Sequence, residues 1–206
     1  YVVHELSRHG ITDIIFAVGY KGSMVEEYFG DGSRFTAPDQ TPIKIQYAYE
    51  KELLGTAGAI KNAGKLVTED AFYVLNADTF YQIDYSRLAQ MQAEKDLDLA
   101  LVLREVPDIS RYGEATLDQG MLTGFNEKTS EARPGTINGG IYYMKRELLD
   151  EIPEGKVSLE NEMIPKWLGE KRRLGGFVHD GYFIDIGIPE AYYQFMDDVE
   201  KGVIRW

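Results

Sequence analysis

Asp78 is the first residue whose type and place in the sequence point to chemistry. It follows the apolar run at 71–75, which predicts a buried strand ending in Asn76-Ala77-Asp78. In open α/β sheets ligands bind beyond the carboxyl ends of the strands, and a carboxylate placed there can bind Mg²⁺. By position alone, a turn residue or a helix cap is an equally good interpretation of Asp78.

Asp185 repeats this pattern in the second half of the chain. It lies inside an apolar stretch at 182–187, which predicts a further strand. A carboxylate buried there costs several kcal/mol of stability unless it is ion-paired or bound to a metal ion. Three basic residues could provide an ion pair instead of a metal: Lys128, Lys166 and Arg172.

A turn of small residues, Leu54-Gly55-Thr56-Ala57-Gly58, separates a predicted strand from a predicted helix. Its backbone amides could face an anion or the edge of a nucleobase, and its lack of bulk allows close approach. It matches neither the Walker loop nor the GxGxxG dinucleotide fingerprint. Small residues also simply pack a helix against a sheet, so this turn alone is a weak signal.

Three further polar motifs lie near predicted strand ends. They are Tyr112-Gly113, Glu127-Lys128 and Asn138-Gly139-Gly140. Such groups suit the recognition of sugar hydroxyls, and Lys128 could meet a phosphate. Each of them, taken singly, is more typical of a surface loop.

Composition narrows the classes of function. The net charge is −12, from 34 acidic and 22 basic side chains, so nucleic acid and anionic membranes are poor partners. A phosphorylated substrate would be repelled as well unless a divalent cation intervened. There is no cysteine, and the three histidines have no metal-ligand spacing, so a zinc site is disfavoured. We expect a cytoplasmic protein, because cysteine and a signal peptide are both absent.

Short apolar strands alternate with amphipathic helices along the whole chain, which is typical of an α/β sheet with crossover helices. We expect a parallel doubly wound first half and a mixed second half. The predicted strands are 11–18, 43–49, 71–75, 97–103, 114–117, 121–125, 141–144, 174–178 and 182–186. The predicted helices are 1–9, 23–30, 55–66, 84–95, 145–151, 158–170 and 189–201, the second of them with a Ser23–Glu26 capping box.

Taken in order, the motifs resemble those of the nucleotidyltransferases that make NDP-sugars. The six segments that carry the resemblance are 54–59, 74–78, 112–113, 125–128, 138–142 and 183–187. The resemblance runs through the whole chain and is strongest to guanylyltransferases that act on a heptose 1-phosphate. Enzymes that transfer to mannose, glucose or N-acetylmuramate 1-phosphate share most of these motifs.

The resemblance implies a fold, a cofactor and a role for each motif. The fold would be Rossmann-like, with a mixed, mostly parallel central sheet flanked by helices. It would form one domain over 1–206, with a nucleotide-binding lobe at about 1–106 and a sugar-binding lobe at about 107–206. Mg²⁺ would be held between Asp78 and Asp185, which with Lys128 form the catalytic set. The nucleoside triphosphate would be bound by Leu54, Gly55, Thr56, Asn76 and Asp78. The sugar 1-phosphate would be bound by Tyr112, Gly113, Glu127, Lys128, Asn138, Gly139 and Glu160.

One feature of the family has no counterpart in the sequence. Its members begin with a strand and a glycine-rich G-x-G-T-R-L loop that cradles the triphosphate, and nothing in 1–206 matches them. We therefore expect the natural full-length protein to carry this segment before Tyr1. We also expect a chain that begins at Tyr1 to fold poorly and to show negligible transferase activity.

Two other classes of function stay open at this point. A non-catalytic nucleotide-sugar-binding subunit would be compatible with the missing loop, although the presence of both aspartates argues against it. A glycosyltransferase of related fold would normally carry an Asp-x-Asp pair, and Asn76-Ala77-Asp78 supplies only the second acid. Assembly into a homo-oligomer is also left open.

Overall fold

The helices and strands follow the alternation that the sequence predicts. The computed structural model describes residues 1–110, 112–128 and 132–204, and for Glu127 and Lys128 it describes the backbone alone. The strands are β1 (Asp13–Val18), β2 (Lys44–Tyr49), β3 (Ala71–Leu75), β4 (Thr79–Tyr81), β5 (Leu99–Val106), β6 (Gly113–Asp118), β7 (Met121–Lys128), β8 (Gly135–Lys145), β9 (Leu174–Val178) and β10 (Phe183–Asp185). The helices are α1 (Val2–Arg8), α2 (Gly22–Phe29), α3 (Gly55–Gly64), α4 (Tyr85–Lys95), a 3₁₀ helix (Arg146–Glu151), a π-helix (Leu159–Met163), α5 (Ile164–Gly169) and α6 (Pro189–Glu200). Within those residues, no helix is both long and apolar enough to span a membrane.

The main sheet has six strands in the order β3-β8-β5-β9-β7-β6. β8 is antiparallel to both β3 and β5, β9 is parallel to β5, and β7 is antiparallel to β9 and β6. Strands β3, β5, β9 and β6 therefore run in one direction, and β8 and β7 run in the other. The mixed α/β fold is confirmed, and most of its strands share a direction as expected. Among described neighbours in this sheet, however, only β5 and β9 hydrogen-bond as a parallel pair.

The insertion of β8 corrects the prediction of a self-contained parallel first half. A doubly wound sheet would place β3 beside another strand of the first half, but β8 separates β3 from β5. β8 suits this central place because Ile141, Tyr142 and Met144 are buried. The strands of the two lobes predicted at about 1–106 and 107–206 are therefore interleaved in this sheet. Two smaller sheets, β1 with β2 and β4 with β10, lie outside this ladder.

β5 carries the apolar core on both of its faces. Leu99, Leu101 and Leu103 pack on one side, with the 3₁₀ helix and α5. Ala100 and Val102 pack on the other side, with α4. Successive side chains of a strand point to opposite faces, so an uninterrupted apolar run is what a strand covered on both sides requires.

Three local predictions differ from the structure. The Ser23–Glu26 capping box is wrong, because α2 begins at Gly22 behind Lys21, whose backbone is left-handed, and has no side-chain cap. The predicted helix at 158–170 is divided into the π-helix and α5. The strand β4 was not predicted, because its three residues follow the turn after β3 without an alternating pattern of their own.

We predict that Leu101→Ala destabilises the protein by about 2–5 kcal/mol, because Leu101 is 0% exposed and its loss leaves a cavity between close-packed layers. Chemical denaturation of the full-length protein measures this change. Leu53→Ala is the matched control, since Leu53 is 78% exposed and should change stability by less than about 0.5 kcal/mol. Equal losses in the two variants would contradict the assignment of β5 to the core.

Candidate active site

A short antiparallel ladder brings the two aspartates side by side. β4 and β10 pair Thr79 with Asp185, and the amide of Ile186 donates a hydrogen bond to the carbonyl of Asp78 at 2.8 Å. Asp78 and Asp185 are therefore neighbours in space although they lie far apart in the chain. Asp78 is exposed and Asp185 is half-buried, so both carboxylates are within reach of a ligand.

The helix-cap interpretation of Asp78 is wrong. Asp78 lies in the turn between β3 and β4, and the next helix, α4, begins only at Tyr85. That helix is capped by Asp84, as the sequence predicts, since its Oδ1 accepts from the amides of Ser86 and Arg87 at 3.0 and 3.4 Å. The turn position of Asp78 leaves its carboxylate at the carboxyl end of β3.

The ion-pair interpretation of Asp185 loses two of its three candidate partners. Lys166 donates to the carbonyl of Glu151, and Arg172 pairs with the Glu151 carboxylate. The Lys128 side chain lies outside the described part of the chain. Asp185 also ends β10 rather than standing deep inside a strand, and its Oδ1 accepts from the amide of Gly187 at 2.9 Å.

The donor set at this place fits a hard divalent cation. Mg²⁺ is commonly held by one or two carboxylates together with substrate phosphates and water. Among the described residues, no group of three or more histidine, aspartate or glutamate side chains could hold a metal ion. The paired carboxylates of Asp78 and Asp185 therefore match a site that substrate completes, and not a closed structural metal site.

The small-residue turn begins α3 and is bonded to the segment before the π-helix. The amides of Ala57 and Gly58 donate to the carbonyl of Val157 at 3.0 and 3.3 Å, and the Val157 amide donates to the carbonyl of Leu54 at 2.8 Å. Gly55 has φ +68°, and a Cβ on it would lie 2.5 Å from the Val157 oxygen. The prediction that the amides of this turn face a ligand is therefore wrong for Ala57 and Gly58, because protein occupies them.

Four polar side chains form a continuous hydrogen-bonded chain beside this turn. The Thr56 hydroxyl donates to Glu160 Oε2 at 2.7 Å, and the Tyr142 hydroxyl donates to Glu160 Oε1 at 3.0 Å. Asn138 Nδ2 donates to the Tyr142 hydroxyl oxygen at 2.5 Å. Burial first, and then the charge of Glu160, raises the pKa of Tyr142, so this phenol stays a proton donor. The structure thus connects three predicted site residues through a tyrosine that the sequence analysis did not select.

Asn138 and Gly139 lie inside β8 and not before it, which corrects the predicted strand boundary. β8 pairs Tyr142 with Leu101 but Asn138 with Leu103, so it bulges between them. Gly140, at φ +74°, occupies this bulge, and its carbonyl accepts a hydrogen bond from the backbone N–H of Asn76 at 2.9 Å. Bulges re-aim side chains near functional sites, and this one brings Gly140 against Asn76, the residue that follows β3.

The Tyr112-Gly113 and Glu127-Lys128 motifs meet across the β6–β7 ladder. Gly113 is the register partner of Lys128, and a Cβ on Gly113 would lie 2.9 Å from the Asn126 carbonyl. β6 also touches β8 next to Asn138, through the pair Glu114–Ile137. The backbones of the three polar motifs predicted to bind the sugar therefore adjoin one another, while the side chains of Glu127 and Lys128 lie outside the described residues.

Tyr142 is the site residue that sequence reasoning missed. Its position in an apolar strand predicts core packing, and it is indeed fully buried. The signal that could have found it is its place two residues after the Gly139-Gly140 pair, where a bulge changes which side chains meet.

The sequence profile of one protein family, described as Nucleotidyl transferase, matches residues 1–202. The chain belongs to this family. The resemblance drawn from the ordered motifs is thereby confirmed, and the membership also agrees with the mixed α/β fold.

Three relatives illustrate the similarity. D-glycero-alpha-D-manno-heptose 1-phosphate guanylyltransferase of Campylobacter jejuni is 37% identical over 198 residues, which cover 95% of this chain and 83% of that protein. The protein of the same name from Aneurinibacillus thermoaerophilus is 33% identical, over 98% of this chain and 85% of that protein. Mannose-1-phosphate guanylyltransferase of Mycobacterium tuberculosis is 31% identical, over 98% of this chain and 56% of that protein.

Two solved crystal structures are also similar to this chain, in fold and in sequence. The crystal structure of HddC from Yersinia pseudotuberculosis superposes with a TM-score of 0.81 at 31% identity, over 95% of this chain and 82% of that one. The crystal structure of the same protein complexed with GMP-PN gives a TM-score of 0.80 at 32% identity, with the same coverage of both chains.

We predict that Gly55→Ala destabilises the protein by roughly 1–3 kcal/mol, because alanine adopts this positive φ poorly and its Cβ would meet the Val157 carbonyl. Thermal unfolding of the full-length protein measures the loss. Gly169→Ala is the control, because a Cβ on Gly169 meets no atom within 4 Å. An unchanged melting temperature in Gly55→Ala would refute the close approach between the turn and Val157.

Proposed function

We propose that this protein transfers GMP from GTP to D-glycero-α-D-manno-heptose 1-phosphate, releasing pyrophosphate and forming a GDP-sugar. The observation that carries the proposal is the Asp78–Asp185 pair at the carboxyl end of β3. It stands in a chain similar to two guanylyltransferases named for this sugar phosphate. The product would serve the synthesis of a cell-surface glycan, such as a lipopolysaccharide, a capsule or an S-layer glycan.

In this reaction an oxygen of the sugar 1-phosphate attacks the α-phosphorus of GTP in line. A new oxygen–phosphorus bond forms while the bond from the α-phosphorus to the bridging oxygen breaks, and pyrophosphate leaves with that oxygen. No protein nucleophile is required, so the protein contributes positioning and electrostatic stabilisation. Mg²⁺ held by Asp78 and Asp185 would supply positive charge to the reacting phosphates.

The residues of the chain divide between the two substrates. Leu54, Gly55 and Asn76 are proposed to hold the nucleotide, and Lys128 to meet the phosphate of the acceptor. The sugar pocket would be formed by Tyr112, Gly113, Glu127, Asn138, Gly139 and Glu160. One domain with a nucleotide lobe at about 1–106 and a sugar lobe at about 107–206 fits this division, although β8 inserts into the first lobe's sheet.

A cation is needed because the protein itself is acidic. Its net charge of −12 would repel both a nucleoside triphosphate and a sugar phosphate. Mg²⁺ held by two carboxylates would cancel their negative charge and offer its open coordination positions to phosphate oxygens. We therefore expect activity to vanish when the metal is chelated and to return when Mg²⁺ is restored.

A second candidate acceptor is mannose 1-phosphate. The similarity to the mannose-1-phosphate guanylyltransferase of Mycobacterium tuberculosis over 98% of this chain favours it. Both activities would use the same aspartate pair. They differ only in how the sugar pocket around Asn138 and Glu160 discriminates a heptose from a hexose.

A panel of substrates tests the proposal. Pyrophosphate release is measured for the full-length protein with GTP, ATP, UTP and dTTP against the 1-phosphates of heptose, mannose, glucose and N-acetylmuramate. We expect the fastest release with GTP and the heptose 1-phosphate. Faster release with mannose 1-phosphate would select the second candidate, and release with none of the acceptors would refute a transferase.

We predict that Asp78→Asn and Asp185→Asn each lower the turnover number by a factor of about 10² or more, because each removes a charged metal ligand at similar size. Initial rates at saturating GTP and Mg²⁺ measure this loss. Asp180→Asn is the control, since Asp180 is exposed in the loop before β10. Retention of the wild-type rate in either of the first two variants would contradict the assigned metal site.

A further inference from the structure

Thr56 lies in the turn assigned to the nucleotide, yet its hydroxyl is bonded to the sugar side of the site. The Thr56 Oγ1 donates to Glu160 Oε2 at 2.7 Å and accepts from the Leu159 amide at 2.7 Å. A hydroxyl has one proton and two acceptor lone pairs, so its only proton is directed at Glu160. In this arrangement the Thr56 side chain has no proton left to donate to a nucleotide.

Tyr142 holds the same carboxylate from the opposite direction. Its hydroxyl donates to Glu160 Oε1 at 3.0 Å, and it is fully buried in β8. The phenol oxygen accepts from Asn138 Nδ2, while Asn138 Oδ1 accepts from the Gly140 amide at 3.1 Å. Both ends of the Asn138 amide are thus fixed by the same strand that presents Tyr142.

Glu160 stands on a short segment that is tied to Ser158: the Ser158 amide donates to Glu162 Oε1 at 2.8 Å, and the Asn161 amide donates to the Ser158 hydroxyl at 3.1 Å. Glu160 lies in the π-helix Leu159–Met163, which is a single short turn that begins behind Ser158. π-helical turns are rare and often lie at functional sites. Each oxygen of the carboxylate receives a hydroxyl proton from another element, one from α3 and one from β8. The Ser158 hydroxyl also donates to Glu160 Oε2, at 3.4 Å, whereas Oε1 accepts from Tyr142 alone among the described residues. Because a carboxylate oxygen has two lone pairs, Oε1 keeps capacity for a ligand.

We propose that Thr56 and Tyr142 are positioning residues of the sugar pocket, which act by fixing the orientation of the Glu160 carboxylate. Thr56 therefore governs affinity for the sugar 1-phosphate, although it lies in the nucleotide turn. This inference rests on the proposed function, because it takes Glu160 to bind the sugar. It departs from the assignment of Thr56 to the nucleotide that the motif resemblance implied.

The test compares the two substrates in matched variants of the full-length protein. Thr56→Val keeps the branched shape but removes the hydroxyl, and Thr56→Ser keeps the hydroxyl. Tyr142→Phe removes the second hydroxyl. Tyr143→Phe is the control, since Tyr143 is the next residue of β8, is half-buried, and packs its ring on Tyr73 at 4.5 Å between centroids.

We expect Thr56→Val and Tyr142→Phe each to weaken the binding of the sugar 1-phosphate by about ten- to a hundredfold, because each removes a hydrogen bond to a charged group. The KM and the dissociation constant for GTP should change by less than about twofold. Thr56→Ser and Tyr143→Phe should stay close to the wild type. Because both hydroxyls act through one carboxylate, the double variant should lose less than the sum of the two single losses in free energy.

Three results would overturn the inference. The first is a larger loss of GTP affinity than of sugar-phosphate affinity in Thr56→Val. The second is wild-type affinity for the sugar phosphate in both Thr56→Val and Tyr142→Phe. The third is an equal loss of sugar-phosphate affinity in Thr56→Ser and Thr56→Val. Melting temperatures show whether a variant is folded, and Tyr142→Phe decides the outcome if Thr56→Val is not.

Equilibrium titration separates this inference from the proposed function. Calorimetry with each sugar 1-phosphate, and separately with a non-hydrolysable GTP analogue, reports affinity without turnover. If the wild type binds a sugar phosphate but transfers nothing to it, the proposed function fails. The role of Thr56 is then still decided by whether Thr56→Val loses more affinity for the sugar phosphate than for the GTP analogue. If it binds no sugar phosphate at all, both fail.

Discussion

The backbone pairing of β4 with β10 is the constraint on which the whole site depends. Three register pairs, with one further hydrogen bond from the Ile186 amide to the Asp78 carbonyl, hold β4 against β10, the last strand of the chain. Since neighbouring strands lie about 4.8 Å apart, this pairing brings the backbones of Asp78 and Asp185 together, as the proposed metal site requires.

A second connection works by the same principle on the sugar side. The turn at Leu54–Gly58 and the segment that leads into the π-helix share three backbone hydrogen bonds through Val157. Thr56 and Tyr142 then fix Glu160 between α3 and β8. β8 joins both connections. Its bulge at Gly140 meets Asn76 at the end of β3, and Tyr142 follows two residues later in the same strand. The motifs proposed to bind the nucleotide and those proposed to bind the sugar are therefore joined through β8.

Much of this could be predicted from the sequence, and the exceptions have physical causes. The apolar run of β5, the Asp84 cap and the ordered motifs depend on local patterns, and they were predicted correctly. The insertion of β8 and the β4–β10 ladder depend on contacts between distant segments, which periodicity does not encode. Thr56 shows the difference most clearly: its motif predicts a site residue, but only the structure shows that its hydroxyl faces Glu160.

The proposed metal site at Asp78 and Asp185 is tested by a crystal structure of the full-length protein with Mn²⁺ and a non-hydrolysable GTP analogue. The anomalous signal of manganese locates the metal. Mn²⁺ accepts the same oxygen ligands as Mg²⁺. We expect a manganese peak bonded to carboxylate oxygens of both Asp78 and Asp185 and to a phosphate of the analogue. A nucleotide-bound manganese that touches neither aspartate would contradict the proposed metal site.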